Sequence, residues 1–291
     1  MRAAFLLLIC LCAACAPEPA ATPASTDSTP QRIVTLAPHL AEMVFDVGAG
    51  DRLVGVSAYT DHPEAARALP VIGDAFVVDR EQLLLLDPDL LLAWSSGTPE
   101  HVVDQLRAAG FTVEQIRSAN LEQIGFALRR IGELTGSEQN AQAVAARFDE
   151  DVQALREANA DREPIRVFYQ ISQRPLYTVN GQHYISEIIE LCGGVNIFED
   201  VGDLAPMVDV EAVIDRDPEV FLAAGDASDV FAVWERWPAI AANRYGNQFL
   251  VPAGEIGRAG IRLVSAAEVV CEALSTARER RQSAESESDG A

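Results

Sequence analysis

Short apolar runs alternate along this chain with stretches whose apolar residues return at helical spacing. Residues 32–36, 53–56, 90–93 and 111–116 read as strands, and 40–47, 81–86 and 102–109 as helices, with glycines at 48 and 110 as stops. The strands are apolar on both faces, which is the pattern of parallel strands covered by helices. Strand–helix alternation of this kind builds a parallel sheet. Residues 69–73 read as an extended linker. Between 121 and 160 the strand signal stops. Ile124, Leu128, Ile131 and Leu134 share one helical face, and after Gly136-Ser137 a second helix carries Ala141, Val144, Phe148, Val152 and Leu155. Alternation resumes at 165, with strands at 165–171 and 249–251 and helices at 186–192, 230–234 and 261–274. A loop is expected over 172–183, and Gly193-Gly194 as a helix stop.

One block occurs twice. The segment EQLLLLDPDLLLA at 81–93 returns as EAVIDRDPEVFLA at 211–223. Each copy is a short amphipathic helix opened by a glutamate, an Asp-Pro-acid turn and a strand. A duplicated α/β unit implies two lobes of similar build with a cleft between them, and it places Glu81 and Glu211 at the same point of each lobe. The expected organisation is an export segment at 1–15, a flexible tether at 16–31, an N-terminal α/β lobe at 32–120, a helical connection at 121–163, a C-terminal α/β lobe at 164–274 and a disordered tail at 275–291. A long helix joining the lobes is a stiff link, so large hinge closure is not expected.

Composition narrows the class. The formal net charge is −22, with an isoelectric point near 4.4 and arginine as the only strong cation. Such a surface argues against nucleic acid and anionic membranes as partners; it suits a basic partner or serves solubility. Arg2, an apolar run at 5–11 and small residues at Ala13 and Ala14 form an export signal. That run is too short to span a bilayer, which takes roughly 20 residues. Cys15, following Cys12-Ala13-Ala14, resembles a lipidation site; ordinary secretory cleavage near 14–21 is the alternative. The Pro-, Ala-, Ser- and Thr-rich stretch after it reads as a tether. Three of the five cysteines, Cys10, Cys12 and Cys15, sit in the leader. Cys192 and Cys271 remain, and in an exported chain an even pair reads as one disulfide rather than two buried thiols.

Catalytic machinery is hard to find. No dinucleotide or Walker glycine motif follows a strand, and no Gly-x-Ser-x-Gly elbow occurs. The four histidines are scattered without metal-ligand spacing. His101 reads as a surface residue and His183 lies in the second-lobe loop, while His39 and His62 fall in loops after strands, where open α/β sheets gather ligands. Tyr59 and Trp94 also sit at carboxyl ends of strands, although a tryptophan there equally caps a core. Trp234 and Trp237 read as packing residues. A doubly wound enzyme with an unrecognised substrate is the alternative of another class.

The segments RIVTLAP at 32–38, VGVSAYTDHP at 54–63, DPDL at 87–90 with Ala93-Trp94, CGGVNIF at 192–198, and Arg258 before the last helix resemble the Fe/cobalamin-binding superfamily. These are class III substrate-binding proteins of ABC importers, and the similarity, which runs over about 31–275, lies with their cobalamin binders. It implies two α/β lobes joined by one long helix. It also implies a corrinoid in the inter-lobe cleft and an inner-membrane permease as partner. The chain is expected to be a monomer without cofactor or metal site, held in the periplasm or cell envelope through Cys15. The ligand-binding set the resemblance implies is Tyr59, Trp94 and the loop Gly254, Glu255, Ile256, Gly257 and Arg258, joined by Pro38 and His39 in the turn after the first strand. Cys192 and Cys271 match the family's disulfide, and Glu81 and Glu211 its two permease-docking glutamates. Ala75, Ala205 and Ile171 stand where the family has further cleft aromatics, which implies a roomier, less aromatic cleft. A ferric siderophore or haem is the rival ligand.

Overall fold

The computed structural model describes residues 29–74, 76–226 and 228–289. The export segment with Cys15, the tether up to residue 28, and Ala75 lie outside the described residues.

In the N-lobe, β1 (Ile33–Thr35), α1 (Pro38–Asp46), β2 (Leu53–Gly55), α2 (Glu64–Arg67), α3 (Arg80–Leu86), β3 (Leu90–Trp94), α4 (Glu100–Ala108) and β4 (Val113–Ile116) follow one another. The four strands pair in parallel in the order β2-β1-β3-β4. Successive side chains on a strand point to opposite faces, and both faces are covered here. Ile33, Leu90 and Leu92 pack towards α1 and its neighbours. Val34, Leu91 and Ala93 pack on Leu83 of α3 and on Val102, Val103 and Leu106 of α4.

Two helices then run without a strand between them. In α5 (Leu121–Thr135), Asn120 caps the start by accepting from the Gln123 N–H at 2.8 Å, and Gly136, at φ 61, ends it. Next comes α6 (Glu138–Asn159), whose 22 residues span about 33 Å at 1.5 Å per residue. The C-lobe holds β5 (Ile165–Gln170), a hairpin of β6 (Ser172–Gln173) and β7 (Leu176–Tyr177), α7 (Tyr184–Leu191), β8 (Gly194–Asn196), α8 (Val210–Arg216), β9 (Val220–Ala224), α9 (Ala241–Arg244), β10 (Gln248–Val251), α10 (Ala253–Ile256) and α11 (Leu263–Asp289). Its parallel sheet runs β8-β5-β9-β10. Taken in chain order within each lobe, this is the same arrangement as in the N-lobe.

The sequence repeat is a repeat of caps as well as of elements. Asp79 accepts from the Gln82 N–H at 3.0 Å and Asp209 from the Ala212 N–H at 2.7 Å. Asp87 and Asp217 end the two helices in the left-handed region, at φ 43 and 40, which aspartate tolerates better than most residues. The acid two residues on, Asp89 or Glu219, accepts from the backbone N–H of Arg32 or Arg166 at the start of the lobe's first strand, at 3.0 Å in both cases.

The lobes share one core. A single apolar cluster joins Leu40 and Val44 of α1, Leu128 and Ile131 of α5, Phe148 of α6, Ile188 of α7 and Val270 of α11. Phe168 and Phe221 point the other way, onto Trp234, whose ring stacks on Phe221 at 5.0 Å and whose Nε1 donates to Gln170 Oε1 at 2.7 Å. The packing role expected for Trp234 follows from this. The Cys192–Cys271 disulfide ties the end of α7 to α11, with S–S 2.02 Å.

Three expectations need correction. Residues 230–234 lie in a 3-10 stretch, Ser228–Arg236, rather than an α-helix. The stretch Gly193-Gly194 stops α7 but also opens β8, a strand too short to show a pattern. The tail from 275 is not disordered up to Asp289: it is the second half of α11. Ala277, Arg278 and Arg281 form a buried stripe there. Arg278 donates to the carbonyls of Glu163 at 2.7 Å and of Cys192 and Gly193 at 2.9 Å. Arg281 pairs with Glu219 Oε1 at 2.9 Å and Glu163 Oε2 at 2.7 Å. Apolar content is low because guanidinium groups do the anchoring, so composition alone pointed the wrong way.

Candidate ligand cleft between the lobes

The carboxyl ends of the N-lobe strands face one side of the molecule, and open α/β sheets bind ligands there. After β1, the chain turns through Ala37-Pro38-His39 into α1. Ser57, Ala58 and Tyr59 follow β2, and Trp94 closes β3. From the C-lobe come Tyr184 at the start of α7 and Gly257, Arg258 and Ala259 between α10 and α11. Together with Leu36, Asp74 and Phe76 these residues line a cleft of about 430 Å³.

Its aromatic wall belongs to the N-lobe. Tyr59 is 83% exposed at the mouth. Phe76 is held out by a turn in which Asp74 Oδ1 accepts from the N–H groups of Phe76 and Val77, both at 2.8 Å. Trp94 forms part of the floor; Gly97 lies beneath its indole, where a Cβ would come within 1.9 Å of Cε3. His39 backs this floor. It is buried, its ring meets Trp94 edge-on at 5.0 Å, and its Nε2 lies 3.2 Å from Ser118 Oγ. Burial, and then the Arg258 charge, push its pKa down to about 4, so the ring is neutral at pH 7.

A buried carboxylate spans the gap between lobes. Glu42, on the inward face of α1, is 3% exposed. Arg258 Nη1 donates to its Oε1 at 2.8 Å, and Arg262 donates to both oxygens, Nη2 to Oε1 at 2.9 Å and Nε to Oε2 at 3.0 Å. Arg258 also pairs with Asp61, whose pKa is held low by that hydrogen bond. One turn along α1, Asp46 is pushed up to about 7 by burial and by the neighbouring Glu42 charge.

Of the residues expected at a ligand site, Pro38, His39, Tyr59, Trp94, Gly257 and Arg258 come together in this cleft. Gly254, Glu255 and Ile256 do not line it. Ile256 is in the core, and the Gly254 carbonyl accepts from Arg262 Nη2 at 2.6 Å. Gly257 has an unstrained backbone, and its lack of a Cβ serves α10, since that atom would lie 2.9 Å from the Ala253 carbonyl oxygen. His62 and His101 are exposed away from the lining, and His183 caps α7, its Nδ1 accepting from the Ile185 N–H at 3.2 Å. Sequence reading missed Phe76, Tyr184, Glu42 and Asp61. Glu42 carried a signal: a glutamate among Leu40, Ala41, Met43 and Val44 on a core-facing helix needs a buried cation. Ile171 and Ala205 are exposed in the C-lobe. Glu81 and Glu211 are exposed in the first turns of α3 and α8. A larger recess of about 710 Å³, lined by Arg156, Glu187 and Glu190 among others, lies by the amino ends of β5 and β8 and has no aromatic lining. Among the described residues, no group of three or more potential metal ligands occurs, and no helix is long and apolar enough to cross a membrane.

The profile of the periplasmic binding protein family matches residues 33–251. The chain belongs to the periplasmic binding protein family. It is accordingly a binding protein, not an enzyme. This binding protein is 34% identical over 251 residues to the vitamin B12-binding protein of Vibrio cholerae serotype O1 (strain ATCC 39541), covering 86% of this chain and 91% of that one. The crystal structure of the periplasmic vitamin B12 binding protein BtuF of Vibrio cholerae superposes with a TM-score of 0.80 at 33% identity, over 86% of this chain and 98% of the other. The periplasmic heme-binding protein BhuT, solved with two hemes, reaches 0.75 at 25% identity, over 84% and 98%. Two parallel four-stranded sheets flanked by helices are thus this binding protein's fold, as the alternation along the chain implied.

Proposed function

We propose that this protein captures a corrinoid in the inter-lobe cleft and hands it to the permease of an ABC importer in the inner membrane. The reading is carried by a match to a vitamin B12-binding relative over 91% of that protein's length. The cleft suits it chemically. A corrin is a broad, partly apolar disc with amides at its edge; Tyr59, Phe76 and Trp94 offer apolar faces, and Ser57, Asp74 and the loop at 257–259 offer polar groups for the rim. Haem is the second reading, favoured by the heme-binding structural relative. Against it, His39 is enclosed by Trp94 and Ser118 and is not presented as an axial ligand.

Glu81 and Glu211 dock the permease in this reading, one from each lobe, presented by helices that share the same aspartate cap. Each also favours its helix dipole by about 0.3–1 kcal/mol, a role compatible with docking. Lipidation at Cys15 holds the protein at the membrane, with the tether giving it reach; the mass of the mature N-terminus decides between this and simple secretion.

Titration with cyanocobalamin, haem and ferric hydroxamates, followed by tryptophan fluorescence, tests the ligand. Trp94 is the tryptophan of the cleft, so saturable quenching by cyanocobalamin is expected. Saturation by haem or a hydroxamate, with none by cyanocobalamin, would overturn the assignment.

A further inference from the structure

Arg258 belongs to the C-lobe, yet its guanidinium is committed to the N-lobe. Nη1 donates to Glu42 Oε1 at 2.8 Å and to Asp61 Oδ1, and Nη2 donates to the carbonyl oxygen of Tyr59 at 2.9 Å. Tyr59 has an unusual backbone. Its φ of 65 places it in the left-handed region, which among the described non-glycine residues it shares only with Asp87 and Asp217. Those two are capping aspartates, a type that tolerates the conformation, whereas a tyrosine adopts it only when its surroundings impose it. Packing of its side chain is not what imposes it, because the ring is 83% exposed. Local backbone bonds, Ala58 N–H to the Gly73 carbonyl at 2.6 Å and Thr60 N–H to the Ser57 carbonyl at 3.4 Å, shape the loop on either side. The bond to the Tyr59 peptide itself comes from across the cleft.

We infer that Arg258 is a positioning residue for Tyr59: besides lining the cleft, it clamps the Tyr59 carbonyl so that the ring stands over the cleft mouth. The inference rests on reading the cleft as a corrinoid site. Glu42 fixes the clamp, since Arg258 swings away only by breaking a buried ion pair that Arg262 also holds. Asp61 holds the same nitrogen, Nη1, from the solvent side. One member of the N-lobe's aromatic wall is thereby set in place by a residue of the C-lobe.

Two measurements test this. Labelling with 3-fluorotyrosine gives at most five resonances from the five tyrosines, and the Tyr59 line is identified by its loss in Tyr59→Phe. Arg258→Lys keeps the charge but not the two-nitrogen fork, and in ligand-free protein it is expected to move the Tyr59 line and leave the others. A Tyr59 line that stays in place overturns the inference. The second measurement is a double-mutant cycle read by cyanocobalamin titration: Arg258→Lys weakens binding about tenfold in the parent and hardly at all in Tyr59→Ala. An equal loss in both backgrounds means that Arg258 acts on binding independently of Tyr59, which also overturns it. Should Arg258→Lys not fold, Asp61→Asn, at the exposed edge of the clamp, replaces it with the same expected directions. If the parent binds no cyanocobalamin, the ligand reading falls while the fluorine spectrum still decides the clamp.

Discussion

Burial on α1 changes the protonation of Asp46. Its carboxyl goes from an ordinary value of 3.8 to about 7 through burial and the Glu42 charge, and its Oδ2 has no hydrogen-bond partner. The folded state therefore binds the extra proton between these values. The associated stability is complete below pH 3.8 and is lost as pH rises through about 7. Asp46→Asn should be more stable than the parent by about 2–4 kcal/mol at pH 8, with the difference shrinking towards pH 4; urea unfolding at the two pH values checks it. Trp94 carries the second prediction at this scale. Trp94→Ala should weaken cyanocobalamin binding by roughly 1–3 kcal/mol in an equilibrium titration, the scale of one large apolar side chain. Position at a strand's carboxyl end made Trp94 and Tyr59 legible in the sequence. Asp61 was not, and Glu42 showed only that it needed some cation, because their partner Arg258 lies some two hundred positions away and local pattern carries no information about cross-lobe pairing. Gly254 and Ile256 misled for a related reason: proximity in sequence to a cleft residue says nothing about which way a short helix such as α10 turns.

At the level of elements, periodicity gave the long helices and the buried strands, because each of those buries a face whose spacing is visible. The short strands β6, β7 and β8 and the helices α2, α9 and α10 were invisible, being too brief to complete a period. The second half of α11 was lost for a different reason, since its inward face is held by arginines rather than by leucines. Glu219 is the key to that half. It is 5% exposed and lies between Arg281 at 2.9 Å and Arg166 at 3.3 Å. Arg281→Met should cost about 2–3 kcal/mol in urea unfolding, less than a fully orphaned buried charge because Arg166 remains. If stability is unchanged, α11 is anchored by packing alone and the arginines are incidental.

The whole molecule is two copies of one plan, legible from a thirteen-residue repeat that even conserves its caps in space. That symmetry presents Glu81 and Glu211 alike. Reversing both, with Glu81→Arg and Glu211→Arg, should abolish ligand uptake by cells while leaving cyanocobalamin affinity in solution intact; uptake that survives would remove the docking role. What the repeat did not reveal is that the lobes are not separate bodies. Their common apolar cluster is completed by α11, the last element of the described chain. The chain is made from the other end, so α1 and α5 emerge from the ribosome long before the helix that helps cover them. Neither half can therefore finish folding on arrival. The shared interior stays open until that final stretch has been made, and the two halves then close on it together.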